Sequence, residues 1–502
     1  MLRRFAPLAL AAGLLLVAAC DSSDPNFTTP PPATPDPFDP LTADFDTVDV
    51  DYAFVQPLLE ARGVFPALQA ADGDYAWAAV FAAEEGASIV PFNADASLLV
   101  RLAESDLTAS ETAPYAVQSL EDDEIRYLRR WIEAGARSAD GTLPYADARK
   151  LLYVCNQLAG RVSILDAERF RTIREVDLAD HGFAGGDMGA LPHDVAVAPD
   201  GGSWYLTMIA ENKTVRFSSS LTMDPSEPAY LLAESESETG GGDFAKPGMV
   251  EVVAGGPVLV GRSFSDNTGS TSIAAMDPET LEFSEIALPY SRPHAVGAVP
   301  GGRYALSSSL AEENRAALID LEADGGPEIV DIALLETGPT ALVQFAVAPD
   351  ASRAVLTSQL TGELVLLSLS ETELVQTGSV AVGLQPWHPI YAPDGSAVYV
   401  PNRASHTVSF VDPAAGAVTR TVSDPRFSQP HGAAVSDDGA TLFVSHRNTA
   451  DLGADQVNYT SRYALGTPVG LVTRIDTETG EVTGMVETGL WASGMAYYAP
   501  GN

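Results

Sequence analysis

Three histidines follow a proline in three similar stretches of the chain: His193 in "LPHDVAVAPDG", His294 in "RPHAVGAVPGG" and His431 in "QPHGAAVSDDG". Imidazole can ligate metal, carry a proton near neutral pH and hydrogen-bond a polar ligand. Three imidazoles converging on one point could hold Zn or Cu. The chain has seven histidines, the others being His181, His388, His406 and His446. In "QPWHPIYAPDG", Trp387 stands where a further opening would carry its histidine, and its ring offers a face for stacking. "DMGALPHD" adds Asp187 and Asp194 beside His193, either a metal set or a solvated loop. There is no G-x-S-x-G elbow, P-loop or H-E-x-x-H. Serine-hydrolase, nucleotide-phosphate and zincin chemistry therefore have no motif to rest on.

A repeat positions these residues. Similar openings recur at intervals of roughly fifty residues, aligned on His193, Gly248, His294, Val343, Trp387, His431 and Gly494. Short apolar runs separated by Gly, Asp and Pro turns lie between them and read as β-strands. Four strands in each repeat make a propeller blade. The last repeat, "LWASGMAYYAPGN", stops after one strand, and the first β run, "RKLLYVCNQLAGRVSILDAERFRTIREVDL", supplies three more. The two ends should therefore complete one blade, giving a closed ring of seven without exposed sheet edges. In such a ring the starts of innermost strands and the ends of second strands share one end, here called the top. His193, His294, His388 and His431 begin innermost strands, and His446 ends a second strand. His406 falls in a second-to-third-strand connection and His181 between blades. All seven are expected at the top, with His193, His294 and His431 spaced almost three-fold on blades 2, 4 and 7. The longer connections at 180–191 and 447–468 belong to the same end, where loops carry recognition.

The blade text resembles the YVTN-family (lactonase-like) seven-bladed propellers. The resemblance rests on "KLLYVCNQLAGRVSILDAERFRTIREV" and "AVYVPNRASHTVSFVDPAAGAVTRTV", and on the turns "APDG" at 198–201 and 392–395 and "APDA" at 348–351. It covers roughly residues 150–502 and implies a mainly β fold. Propellers of this kind serve as binding platforms, as cofactor scaffolds and sometimes as hydrolases, so the resemblance speaks to fold more than to function.

The N-terminal part reads differently. "MLRRFAPLALAAGLLLVAAC" has two arginines, an apolar run and small residues before Cys20, and its end resembles a bacterial lipobox. Residues 1–19 are expected to be a signal peptide and Cys20 a lipidated N-terminus. Residues 20–45 form a Pro-rich tether that cannot bury a core. Residues 46–141 are expected to be helical: "LEDDEIRYLRRWIEAGA" puts Ile125, Leu128, Trp131 and Ile132 on one face, with acids in the first turn and Gly135 at the end. This segment resembles a small cytochrome c domain, but Gly63, Pro66 and Ala67 stand where that family carries its Cys-x-x-Cys-His attachment site. Covalent haem needs those thiols and that imidazole, so no haem is expected. The propeller is expected over 149–502. The chain has only two cysteines, so with Cys20 lipidated Cys155 has no disulfide partner and reads as strand core.

With 68 acidic and 28 basic residues the net charge is −40. Such acidity argues against nucleic-acid binding and against contact with anionic lipid other than through the anchor. It suits a protein adapted to concentrated salt. The reading that follows is a propeller lipoprotein of the cell envelope, whether outer-membrane, periplasmic or surface-exposed, and more a binding platform than an enzyme. It would recognise a protein or small-molecule partner at the top through His193, His294, Trp387, His388, His431 and His446. The rivals are an oxidoreductase or electron-transfer component, with Zn, Cu or an exchangeable cofactor on His193, His294 and His431, and a lactonase-like hydrolase.

Overall fold

The computed structural model describes residues 50–62, 77–82, 89–108, 117, 120–185, 189–237, 244–263, 271–336, 338, 340–449, 459–461, 463 and 469–501. Cys20, the signal segment, the tether, Gly63, Pro66, Ala67 and Asp187 lie outside the described residues.

Apolar residues on middle strands and mixed residues on outer strands decide the layering. Leu151–Asn156 and Ser203–Met208 are buried along their whole length, whereas Glu328–Leu334 alternates between exposed and half-buried. A strand covered on both faces needs the first pattern, and a blade's rim carries the second. The described strands form seven sheets, each an antiparallel blade in a β-propeller. The innermost strands of blades 2 to 7 are Pro192–Val197, Pro247–Val252, Pro293–Ala298, Leu342–Val347, Ile390–Tyr391 and Pro430–Val435. Blade 1 takes its innermost strand, Ala492–Tyr498, from the C-terminal end and pairs it antiparallel with Leu151–Asn156. The shared-blade closure expected from the phase of the repeats is therefore present. Blade 3 gains a fifth, parallel strand, Glu236–Ser237, on its rim.

Blades hold to one another through apolar side chains between their sheets. Leu306 and Leu318 of blade 4 pack with Phe345 and Leu356 of blade 5, and Leu152 of blade 1 with Phe443 and Ala434 of blade 7. Each such aliphatic side chain contributes about 1.5–3 kcal/mol on burial. Hydroxyls at the top reinforce these seams. Thr357 Oγ1 donates to the Trp387 carbonyl of the next blade at 2.7 Å, and Ser445 Oγ donates to the Ser493 carbonyl. The "APDG" motif makes the bottom turn: Asp394 Oδ1 accepts from Ser396 N at 2.9 Å, and Gly395 takes φ 72°, which a side chain would disfavour.

Among the described residues four α-helices precede the ring: α1 (Tyr52–Arg62), α2 (Trp77–Ala82), α3 (Leu98–Ala103) and α4 (Asp122–Glu133). In α4 the Glu121 and Glu124 side chains form a reciprocal cap, and Ile125, Leu128, Trp131 and Ile132 are buried, as the spacing required. Left-handed Gly135 follows the helix (φ 96°). The helices lean on blade 1. Arg171 Nη1 donates to the Phe81 carbonyl at 2.9 Å, and Arg174 lies over the Phe92 ring while donating to the Pro144 and Leu221 carbonyls.

Candidate functional site

One backbone device recurs at the top of every blade. The first residue after each second strand donates its N–H to a carbonyl just before the innermost strand, at 2.8–3.2 Å: Gln157 to Trp491, Ile209 to Leu191, Ser263 to Lys246, Leu310 to Arg292, Gln359 to Ala341, Arg403 to Gln385 and Arg447 to Gln429. Six of those carbonyl residues, Leu191, Lys246, Arg292, Gln385, Gln429 and Trp491, have positive φ between 47° and 67° although none is glycine. A side-chain-bearing residue in that region costs roughly 1–3 kcal/mol, and such strain persists only where neighbouring structure imposes it. Here it accompanies the rung from the second strand in six blades, while Ala341 takes the same rung without positive φ. The kink turns the chain into the innermost strand and brings the following position to the channel end.

Strand register gives that position as Ser493, His193, Gly248, His294, Val343, Trp387 and His431 in blades 1 to 7. In blade 1 it is Ser493, one residue before the Gly494 suggested by the repeat. His388 follows Trp387. The His193 and His294 rings lie 5.8 Å apart, His388 and His431 4.7 Å apart, and Trp387 and His431 4.9 Å apart. Burial pushes all four imidazoles below their ordinary range. His294 falls to about 4, and His193 and His388 also feel His294 and Arg447. His431 is lowered by burial first and then by Arg447 and His388.

Two arginines that sequence reasoning passed over complete the site. Arg447 Nη2 lies 2.7 Å from His431 Nε2. Guanidinium has no acceptor, so Arg447 donates and His431 is neutral with its proton on Nδ1. Arg447 also lies 4.4 Å from the Trp491 ring centre and 5.5 Å from that of Trp387, and Arg403 lies 5.0 Å from the latter. Burial and Arg403 lower the Arg447 pKa, yet a guanidinium stays charged in a protein. Burying it unpaired costs several kcal/mol, against about 1–2 kcal/mol returned by a ring face. Among the described residues no carboxylate pairs with Arg403 or Arg447. Gln157, Arg403 and Arg447 share one blade position, the residue after "YVCN", "YVPN" and "FVSH". Reading that position across the repeats would have found them.

Several polar atoms here are buried without a hydrogen-bond partner. They include His193 Nε2, His388 Nε2, His431 Nδ1, Trp387 Nε1, Trp491 Nε1, Arg447 Nε and the side-chain oxygens of Gln157 and Gln344. His193 Nδ1 meets Gln157 Nε2 in a long contact of 3.5 Å, which leaves the proton on Nε2. His294 is anchored differently: its Nδ1 donates to the Val343 carbonyl at 2.7 Å.

The remaining three histidines have local explanations. His446 Nε2 meets Thr473 Oγ1 at 2.9 Å and its ring packs on Phe427. In the same blade position Asn156 Nδ2 donates to Ser163 Oγ at 2.7 Å, and Asn402 Nδ2 to Ser409 Oγ at 2.9 Å. His446 thus replaces a structural asparagine and points into its blade. His406 fills a turn at positive φ (55°), where other blades carry Gly160, Asn212, Asn314 and Gly362, and its Nδ1 accepts from Gln429 N. His181 Nε2 bonds the Pro225 carbonyl at 2.8 Å. Among the described residues no three His, Cys, Asp or Glu side chains take an arrangement that could hold a metal ion. The trio His193, His294 and His431 divides instead between the pairs His193–His294 and His388–His431.

Fold and site together define a seven-bladed β-propeller with a polar, donor-rich cluster at one end of its channel. No protein-family model and no curated protein sequence matches the chain. Solved structures share the fold. A functionally unknown protein from Desulfotomaculum acetoxidans has a TM-score of 0.53 at 15% identity, over 70% of this chain and 99% of its own. A proposed 6-phosphogluconolactonase from Bacteroides uniformis has a TM-score of 0.49 at 15% identity, over 70% of this chain and 100% of its own. Another from Bacteroides fragilis has a TM-score of 0.49 at 15% identity, over 71% of this chain and 100% of its own. Likeness at this identity extends to the fold alone.

Proposed function

We propose that this chain is an exported, lipid-anchored propeller whose channel mouth binds a small ligand, with the haemless helical segment acting as a spacer or docking element. One observation carries the reading: buried imidazole, indole and guanidinium N–H groups from blades 1, 2, 6 and 7 converge without acceptors. Such groups are costly to bury and mark a place where a polar partner is received. Their depth favours a small molecule over a protein surface, since His431 is 0% and His193 5% exposed. A metal-dependent oxidoreductase is the weaker reading, because His431 Nε2 already accepts from a cation.

Native mass spectrometry of protein gently extracted from its host tests this. A discrete small-molecule adduct is expected, lost in a His193→Ala/His431→Ala double variant and kept in His181→Ala. No adduct, together with no response of tryptophan fluorescence to a metabolite extract, would sink the proposal. A stoichiometric transition metal lost in the double variant would move the reading to the redox rival.

A further inference from the structure

Three arginines are buried among the described residues: Arg174, Arg262 and Arg447. Arg262 pairs with Glu285 at 3.0 Å and donates to the Ala245 and Ser272 carbonyls. Arg174 donates to the Ile173, Pro144 and Leu221 carbonyls. Among the described residues Arg447 has neither kind of partner; it meets a neutral imidazole and two indole faces. Elsewhere the arginines take carboxylates freely, as Arg161 does with Glu175 and Asp177, Arg303 with Asp320, and Arg426 with Asp424. In a chain with 68 acidic residues a carboxylate would be the commonplace solution at the mouth as well. Instead Arg403 and Arg447 approach the same Trp387 ring and repel one another.

The orphaned atoms have the same bias. His193 Nε2, His431 Nδ1, Trp387 Nε1, Trp491 Nε1 and Arg447 Nε are donors, against the side-chain oxygens of Gln157 and Gln344. A site rich in donors and positive charge fits a ligand rich in acceptors and negative charge.

We infer that the ligand of the mouth carries a compact oxyanion, a carboxylate or a phosphate group, received between Arg447, Arg403 and the N–H groups of His431, His193 and Trp387. The inference rests on the reading that the mouth binds a small molecule and adds its charge class. An anion there would offset the positive charge shared by the two guanidiniums and accept from the unpartnered N–H groups.

Titration calorimetry on the purified full-length protein, with three probes, tests it: benzoate, its neutral isostere benzamide, and inorganic phosphate. Binding of benzoate or phosphate is expected in the millimolar range or tighter, with benzamide at least tenfold weaker than benzoate. The relative affinities of benzoate and phosphate distinguish a carboxylate from a phosphate. Arg447→Gln should abolish the preference for acid over amide, and Arg447→Lys should keep part of it. A purely structural role for Arg447 would lower the melting temperature in both variants while leaving that preference unchanged. Should benzamide bind as tightly as benzoate, the charge assignment fails while the mouth remains a binding site. If none of the probes binds and the adduct released from the native protein is neutral, the charge assignment also fails. If none binds and no adduct exists, both readings fall.

Discussion

His446 is spelled like a ligand in the sequence and behaves like an asparagine in the structure. It closes the "YVxN" position of blade 7 as "FVSH", and its ring reaches the third strand just as Asn156 and Asn402 do. Burial pushes it down to about 3, whereas an imidazole in an unfolded chain titrates near 6.5. Between those values the unfolded chain binds the proton and the folded chain does not. Stability from this group is therefore whole above pH 6.5 and is lost as pH falls toward 3. Glu251, raised by burial to about 7, acts in the opposite sense over part of that range, so bulk acid sensitivity does not isolate the histidine. His446→Asn does, and it keeps the hydrogen bond. Melting at pH 5 relative to pH 7.5 should improve over wild type by about 2 kcal/mol; equal pH slopes would refute this account. The residue alone gave no hint of its role. The column it occupies in the repeat did.

The strands of each blade were legible because alternating or continuous apolar runs have few other ways to bury themselves, and Asp-Gly turns separate them. The positive-φ residues ahead of the innermost strands were not legible. Leu191, Lys246, Arg292, Gln385, Gln429 and Trp491 have no composition in common, and none is the glycine that such a dihedral favours. The conformation goes with the rung from the neighbouring strand in six of the seven blades, and no local pattern records it. Seam hydroxyls are similarly tertiary. Thr357→Val keeps the volume but leaves the Trp387 carbonyl without its bond. Urea unfolding should show a loss of about 1–2 kcal/mol, together with a shifted tryptophan emission as the indole loosens. Unchanged stability and emission would remove the seam bond from the account of the mouth.

At the scale of the whole molecule, the chain carries a net charge of −40, and its ring of seven blades closes with the first and last strands in one sheet. Self-repulsion of that size opposes the compact state and is screened by salt. The melting temperature should rise by several degrees between low salt and molar KCl, and a flat or falling curve would refute adaptation to concentrated salt. Charge, repeat length, blade number and closure were all determined by the sequence alone, because composition and periodicity are properties of the chain and closure follows from the phase of its ends. Four of the seven histidines meet at the mouth, and only the tertiary structure decided which. Arg403 and Arg447 were likewise hidden, since two arginines after strand ends look like solvated charges. Whether a side chain finds a partner depends on neighbours that the ring brings together from blades far apart in the chain, and no run of residues states that in advance.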